Sequence, residues 1–143
     1  MRVSNLLATK GHDVTTISQS QSVKEALALL KERGIGALVV TGVAPPLVGI
    51  FSERDVVRAL ATRGAAALDE RVSDLMSPDV TTCSESTLIT DLMTIMTDQR
   101  IRHVPVVDDH VLSGMISIGD VVKARLEELE HEKKDLLDYV SAR

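Results

Sequence analysis

Apolar residues along this chain fall into a pattern that occurs twice. Val23, Ala26, Leu27 and Leu30 sit at i, i+3, i+4 and i+7, one face of a helix. Ser22-Val23-Lys24-Glu25 ahead of them has the spacing of a capping box, and Gly34 behind them is a natural left-handed stop. Ile89, Leu92, Met93 and Met96 repeat the stripe 66 residues later. A short Val-rich run follows each helix, at 35–40 and at 101–107, too short for a helix and read as a buried strand. Turns at 41–46 and 108–110 lead to second strands at 47–51 and 111–117, and second helices start near Glu53 and near Gly119.

The register of the repeat is explicit in the residues. Val14-Thr15-Thr16-Ile17-Ser18 lies over Val80-Thr81-Thr82-Cys83-Ser84, Ile35 over Ile101 and Val40 over Val106. After one residue is lost in a loop, Gly49 falls on Gly114, Ser52 on Ser117, Asp55 on Asp120, and Val56-Val57 on Val121-Val122. Each unit therefore reads strand–helix–strand–strand–helix, joined by a linker at 65–71 and a short helix at 72–76 that leads into the second unit. A unit of this size buries too little apolar surface alone, so the two are expected to pack sheet to sheet with pseudo-two-fold symmetry. The boundaries expected are 1–72 for the first repeat with its lead-in and linker, 73–126 for the second, and 127–143 for a C-terminal helical extension. That last helix, read from 121 to 140, carries Val122, Leu126, Leu129, Leu136 and Val140 in a heptad rhythm, with Lys133 at the remaining seam position.

Composition narrows the function. The 143 residues carry 16 basic and 21 acidic side chains, a net charge of −5, which disfavours nucleic acid and anionic membrane as general partners. Phe51 and Tyr139 are the only aromatics, so a base-stacking platform is missing. The single cysteine, Cys83, cannot form an internal disulfide, and the start of the chain has no secretory pattern, so a cytoplasmic protein is expected. The four histidines show no metal-ligand spacing, and neither a P-loop, a Gly-x-Gly-x-x-Gly turn nor a nucleophile elbow occurs. No base–nucleophile pair emerges, so the chain is read as a non-enzyme.

Ser52 with Asp55, and Ser117 with Asp120, carry the candidate chemistry. Each Ser stands three residues before its Asp at a strand-to-helix junction, beside unpaired helix N-terminal amides that attract phosphate. The hydroxyl can donate to a phosphate oxygen, and the carboxylate can accept from two ribose hydroxyls. The same spacing also serves simply to cap a helix, and the two roles are compatible.

The chain at this point resembles a tandem cystathionine-β-synthase (CBS) domain pair, from Val3 to about Leu126. The resemblance rests on Gly49-Ile50-Phe51-Ser52-Glu53-Arg54-Asp55-Val56-Val57, its echo Gly114-Met115-Ile116-Ser117-Ile118-Gly119-Asp120-Val121-Val122, and Arg102-His103-Val104-Pro105-Val106-Val107-Asp108. It implies an α/β (α+β) fold of two β-α-β-β-α repeats plus a C-terminal helix. It also implies a regulatory, non-catalytic module that binds AMP, ADP, ATP or NAD(H) between the repeats, AMP foremost, forms a homodimer and signals to an effector protein. The alternative is a scaffold that dimerises without ligand. By resemblance, a first site combines Ser52, Arg54 and Asp55 with Ser77, Val80, Arg102, His103 and Val104. A second combines Ser117, Gly119 and Asp120 with Thr9, Lys10, Val14, Ala37 and Leu38. Gly119 stands where the first site has Arg54, and Gly36-Ala37 where it has Arg102-His103, so the second site is poorer in positive charge and is expected to bind more weakly or to take a less charged adenosine moiety. Lys10 compensates in part; with Leu7 set on Leu75, two extra residues precede Val14.

Overall fold

A computed structural model describes residues 1–142. The elements are α1 (Val3–Lys10), β1 (Thr16–Ser18), α2 (Val23–Arg33), β2 (Ala37–Thr41), β3 (Gly49–Ser52), α3 (Glu53–Arg63), a 3-10 turn (Gly64–Asp69), α4 (Val72–Leu75), α5 (Ile89–Gln99), β4 (His103–Asp108), β5 (Val111–Ser117) and α6 (Ile118–Ser141). Ser22 caps α2 by accepting from the Glu25 amide at 3.1 Å. Gly34 ends α2 at φ 62, and the Ile35 amide reaches back to the Leu30 carbonyl. Arg100 ends α5 in the same left-handed conformation, with Ile101 reaching Met96. Ile35 and Ile101 thus belong to the helix-stop motif, and the strands begin two residues later than their apolar runs suggest.

In the first repeat β1 pairs parallel with β2, and β2 antiparallel with β3. In the second, β4 pairs antiparallel with β5. The strand expected at 80–84 shrinks to one parallel bridge, Cys83 with Val106, the equivalent of Ile17 with Val40. The reason is Pro105. Its counterpart, Val39, donates its amide to Thr15, whereas proline has no N–H to donate to Thr81. The strand expected at 47–51 starts at Gly49, past the turn that holds Pro45 and Pro46.

Two aliphatic cores result, and their membership departs from chain order. The first core holds Ile17, Val23, Leu38, Phe51 and Val56 together with Val72 and Leu75 of α4. The second holds Cys83, Ile89, Leu92, Val104, Ile116 and Val121 together with Val3, Leu6 and Leu7 of α1. The lead-in segment is a helix that closes the second core, and α4 closes the first rather than leading into the second. The two cap helices dock identically. Val3 donates to the Thr87 carbonyl and Val72 to Gln21, both at 2.8 Å; Ser4 donates to Glu85 and Ser73 to Gln19. Leu7 therefore superposes on Met76, not Leu75, and three extra residues precede Val14 rather than two.

The repeated glycines are the seats of these caps. A Cβ on Gly49 would lie 2.6 Å from Met76 Sδ and 3.0 Å from the Ser77 carbonyl oxygen, and one on Gly114 would lie 2.8 Å from Leu7 Cδ2. Gly114→Ala is expected to destabilise the protein by about 1–3 kcal/mol in chemical denaturation. Gly49→Ala is expected to cost more, because a backbone carbonyl yields less readily than the end of a leucine.

Candidate functional site

The junction of β3 with α3 and that of β5 with α6 are built alike. Asp55 accepts from the Ser52 amide at 2.8 Å, and Asp120 from the Ser117 amide at 2.9 Å. Ser117 Oγ in turn accepts from the Asp120 amide at 3.2 Å, while Ser52 Oγ donates to Asp55 at 3.1 Å. Each aspartate is thus held in the first turn of its helix, where the helix dipole favours negative charge. The capping role read from the sequence is present at both junctions. It occupies one oxygen of each carboxylate and leaves acceptor capacity on the other.

The surroundings of the two carboxylates differ because the cap helices end differently. Ser77 precedes Pro78, which disfavours helical backbone at Ser77, so α4 stops and the chain runs extended beside β3. Ser77 and Ile50 exchange both backbone hydrogen bonds, at 2.9 and 3.0 Å, and Ser77 Oγ lies 3.5 Å from Asp55 Oδ1. On the other side α1 runs one turn further. The Lys10 ammonium donates both to the Met115 carbonyl, the counterpart of Ile50, and to Asp120. One side chain therefore satisfies the Met115 carbonyl as the Ser77 amide satisfies Ile50, and it meets Asp120 at Oδ2, the oxygen that also accepts from the Ser117 amide. The pair is partly covered, with side-chain exposures of 34% for Lys10 and 25% for Asp120.

His103 stands between the repeats. It pairs with Ser117 across β4 and β5, as Ala37 pairs with Ser52, and it is half-buried. Its ring lies over Gly36, where a Cβ would approach Cε1 to 3.3 Å, with Glu53 beside it. Burial pushes its pKa below the ordinary value, helped by Lys10 and Arg102 and opposed by Glu53 and Asp120, so the ring is neutral at pH 7. His103 thus touches the first repeat while sensing the charges around Asp120. Arg54 reaches across the repeats to the Arg100 carbonyl at 3.2 Å.

The remaining candidates are more scattered. Val104, Ala37 and Leu38 are buried strand residues, Val80 and Val14 are half-buried, and Thr9, Arg102 and Gly119 are exposed. Two open hollows, of about 430 and 480 Å³, lie along the first repeat. Val14 lines the first with Asp13 and Arg33; Gly36 and Glu53 line the second, and neither is lined by Asp55 or Asp120. Glu53, beside the His103 ring, and the Met115 carbonyl, which accepts from Lys10, are neighbours of the candidate site that the sequence reading passed over. Glu53 was readable as the residue following Ser52, whereas no sequence signal marks a carbonyl. Cys83 is buried, and burial, with Asp108 adding to it, pushes its thiol up to about 11, an inert group. Among the described residues, no group of three or more His, Cys, Asp or Glu could hold a metal, and no helix is long and apolar enough to cross a membrane.

Burial raises the Asp120 pKa, but hydrogen bonds from Lys10 and from Ser117 outweigh it and hold the carboxyl below its ordinary value of 3.8. A depressed folded-state pKa contributes stability that is present above the unfolded value and lost as pH falls through the folded one. Asp120→Asn is therefore expected to be less stable than the parent at pH 7, with the two melting temperatures converging as the pH is lowered below 4.

Comparison with known proteins places this geometry. The CBS domain profile matches residues 3–62 and again 72–127. The crystal structure of a CBS-domain containing protein from Agrobacterium tumefaciens is 47% identical, with a TM-score of 0.85 over 87% of this chain and 99% of that one. The mitochondrial CBS domain-containing protein CBSX3 of Arabidopsis thaliana is 33% identical over 146 residues, 96% of this chain and 71% of the relative. The CBS domain pair of protein MJ0100, 25% identical with a TM-score of 0.77 over 90% of this chain and 98% of that one, was crystallised in complex with 5'-methylthioadenosine and S-adenosyl-L-methionine.

Proposed function

Because the chain belongs to the CBS domain family, as a tandem pair of repeats, we propose that it is a regulatory module that binds an adenosine nucleotide between its repeats and catalyses no reaction itself. The observation that carries this reading is the twofold presentation of an aspartate in the first turn of a helix, fixed by its own serine. A carboxylate immobilised by a cap is a preorganised acceptor for the vicinal hydroxyls of ribose, and the adjacent helix N-terminus favours phosphate. The MJ0100 pair, with its adenosine-containing ligands, supports the ligand class.

At the first site Asp55 Oδ1 has only the long contact with Ser77, so it is free to receive a ribose hydroxyl. Arg54 and Arg102 supply positive charge for phosphate, which favours AMP, ADP, ATP or NAD(H) over uncharged nucleosides. Val80 and Val104 offer backbone for the adenine edge. Ligand binding acts by its different affinity for two arrangements of the repeats, and that difference sets the signal an effector protein reads. A scaffold without ligand is the second reading. It is favoured by the capping role of both aspartates, which needs no ligand, and by the hollows lying elsewhere.

The homodimer rests on α6. Its 24 residues span about 36 Å, and Leu126 (55% exposed), Leu129, Leu136 (64%) and Val140 lie uncovered along it. Val57 and Leu60 of α3 and Val122 of α6 add exposed apolar area. A second copy covers such a row with less cost than solvent does.

Two outcomes test these assignments. A thermal-shift panel of AMP, ADP, ATP, NADH and S-adenosylmethionine is expected to raise the melting temperature with at least one phosphate-bearing ligand; no shift with any of them leaves the scaffold reading. Asp55→Asn, which keeps the cap, is then expected to weaken that ligand by about tenfold or more in calorimetry. A chain ending at Glu127 is expected to run as a monomer in light scattering where the full chain runs as a dimer; an unchanged mass removes the helix from the interface.

A further inference from the structure

The two repeats differ at a place where their symmetry calls for the same contact. Arg54 crosses from α3 to the second repeat and donates to the Arg100 carbonyl at 3.2 Å, at the C-terminal end of α5. The counterpart of Arg100 is Gly34, at the end of α2. The counterpart of Arg54 is Gly119, which has no side chain to send across. An open hollow of about 480 Å³ lies there, lined by Gly34 with Leu27, Ile35, Gly36 and Glu53. We infer that this hollow is a docking site for an arginine side chain of a partner protein, which enters it as Arg54 approaches the end of α5 in the other repeat.

The chemistry of the hollow suits a guanidinium on a methylene stem. Among the described residues, the Glu53 carboxylate makes no hydrogen bond or ion pair, and no side-chain donor reaches the Gly34 carbonyl. Both residues line the hollow, and the C-terminal end of α2 adds its partial negative charge. A guanidinium carries a fork of donors that can serve a carboxylate and a carbonyl together. Half-buried Leu27 and Ile35 give the stem an apolar wall. Lys31 is the one cation among the lining residues, and it is exposed. The acid is also specific to this end of the molecule. Ile118 stands in the second repeat where Glu53 stands in the first, so the carboxylate is present where the internal arginine is missing and absent where Arg54 is supplied. A basic partner fits better than a second copy, because the chain carries a net charge of −5 and like charge opposes self-association through this face. Neither Asp55 nor Asp120 lines the hollow, so the inference stands independently of nucleotide binding.

Amide NMR of the full chain, with N-acetylarginine amide as the probe, tests the site. Shifts are expected at Gly34, Ile35 and Gly36, with a midpoint on the order of millimolar. The citrulline analogue has the same shape without the charge and is expected to leave those amides in place. Glu53→Gln is expected to weaken the arginine probe by about tenfold. Gly119→Arg supplies the missing side chain from within, and position 119 has room for one, since a Cβ there would meet only Ser117 Oγ at 3.7 Å. That variant is expected to shift the same amides with no probe present and to lose its response to the probe; circular dichroism confirms that both variants fold. No shift at these amides with the arginine probe, equal binding of the citrulline analogue, or unchanged binding by either variant overturns the site. A halved mass of Glu53→Gln in light scattering makes the occupant a second copy and overturns the assignment to a partner protein.

Discussion

A repeat of this size cannot close its own aliphatic core, and everything else in the structure follows from how that deficit is met. Each core is completed by a short helix that the repeat's own strand–helix pattern does not include. α4 closes the first, and α1, from the opposite end of the sequence, closes the second. The docking is by backbone as well as by side chain, since the same pair of amide-to-carbonyl bonds recurs at both. The glycines at 49 and 114 mark how close the approach is, with no room for a methyl group between strand and cap. Because the caps are joined to the chain on opposite sides of the first repeat, the two halves are bound into one unit without any large shared sheet.

The candidate sites inherit their character from those caps. Past the end of α4 at Leu75 the chain runs extended, and Ser77, the residue before Pro78, offers a backbone amide and a hydroxyl to the neighbouring strand and helix. Where α1 continues by one turn, it offers an ammonium instead. A proline in one copy and its absence in the other gives two equivalent carboxylates different neighbours, a hydroxyl at Asp55 and an ammonium at Asp120. His103 adds a second asymmetry. The first repeat has Ala37 at that position, so only one imidazole lies at the contact between repeats, over a glycine that leaves space for it.

What was legible in the sequence was what repeats over short range. The stripe at Val23, Ala26 and Leu30, the cap at Ser22, the stop at Gly34 and the echoing Ser–Asp pairs all write themselves into neighbouring residues, and all stand in the structure. The Ser–Asp spacing even declared its cap geometry. What was hidden acts across distance. Val3, Leu6 and Leu7 are too few to form a stripe, and the rest of their core begins at Cys83, in the other half of the chain. Pro105 silences a strand to which it is not adjacent, by lacking a donor that the partner strand requires. The contact of Lys10 with Asp120 joins residues 110 apart and depends on whether a helix gains one more turn, which a three-residue insertion decides but does not announce. Arg100 in the left-handed region, where the first copy has Gly34, shows that equivalence of fold can survive loss of the residue that best suits it.

The position of α1 has a consequence for how the protein is made. It leaves the ribosome well before its partners, which run from Cys83 through Ala124. During synthesis the first repeat can complete its core as soon as α4 has emerged, while α1 trails as a short, partly apolar arm with nothing of its own to grip. Closure of the second core awaits the emergence of the second repeat, when an early stretch of the nascent chain meets a later one.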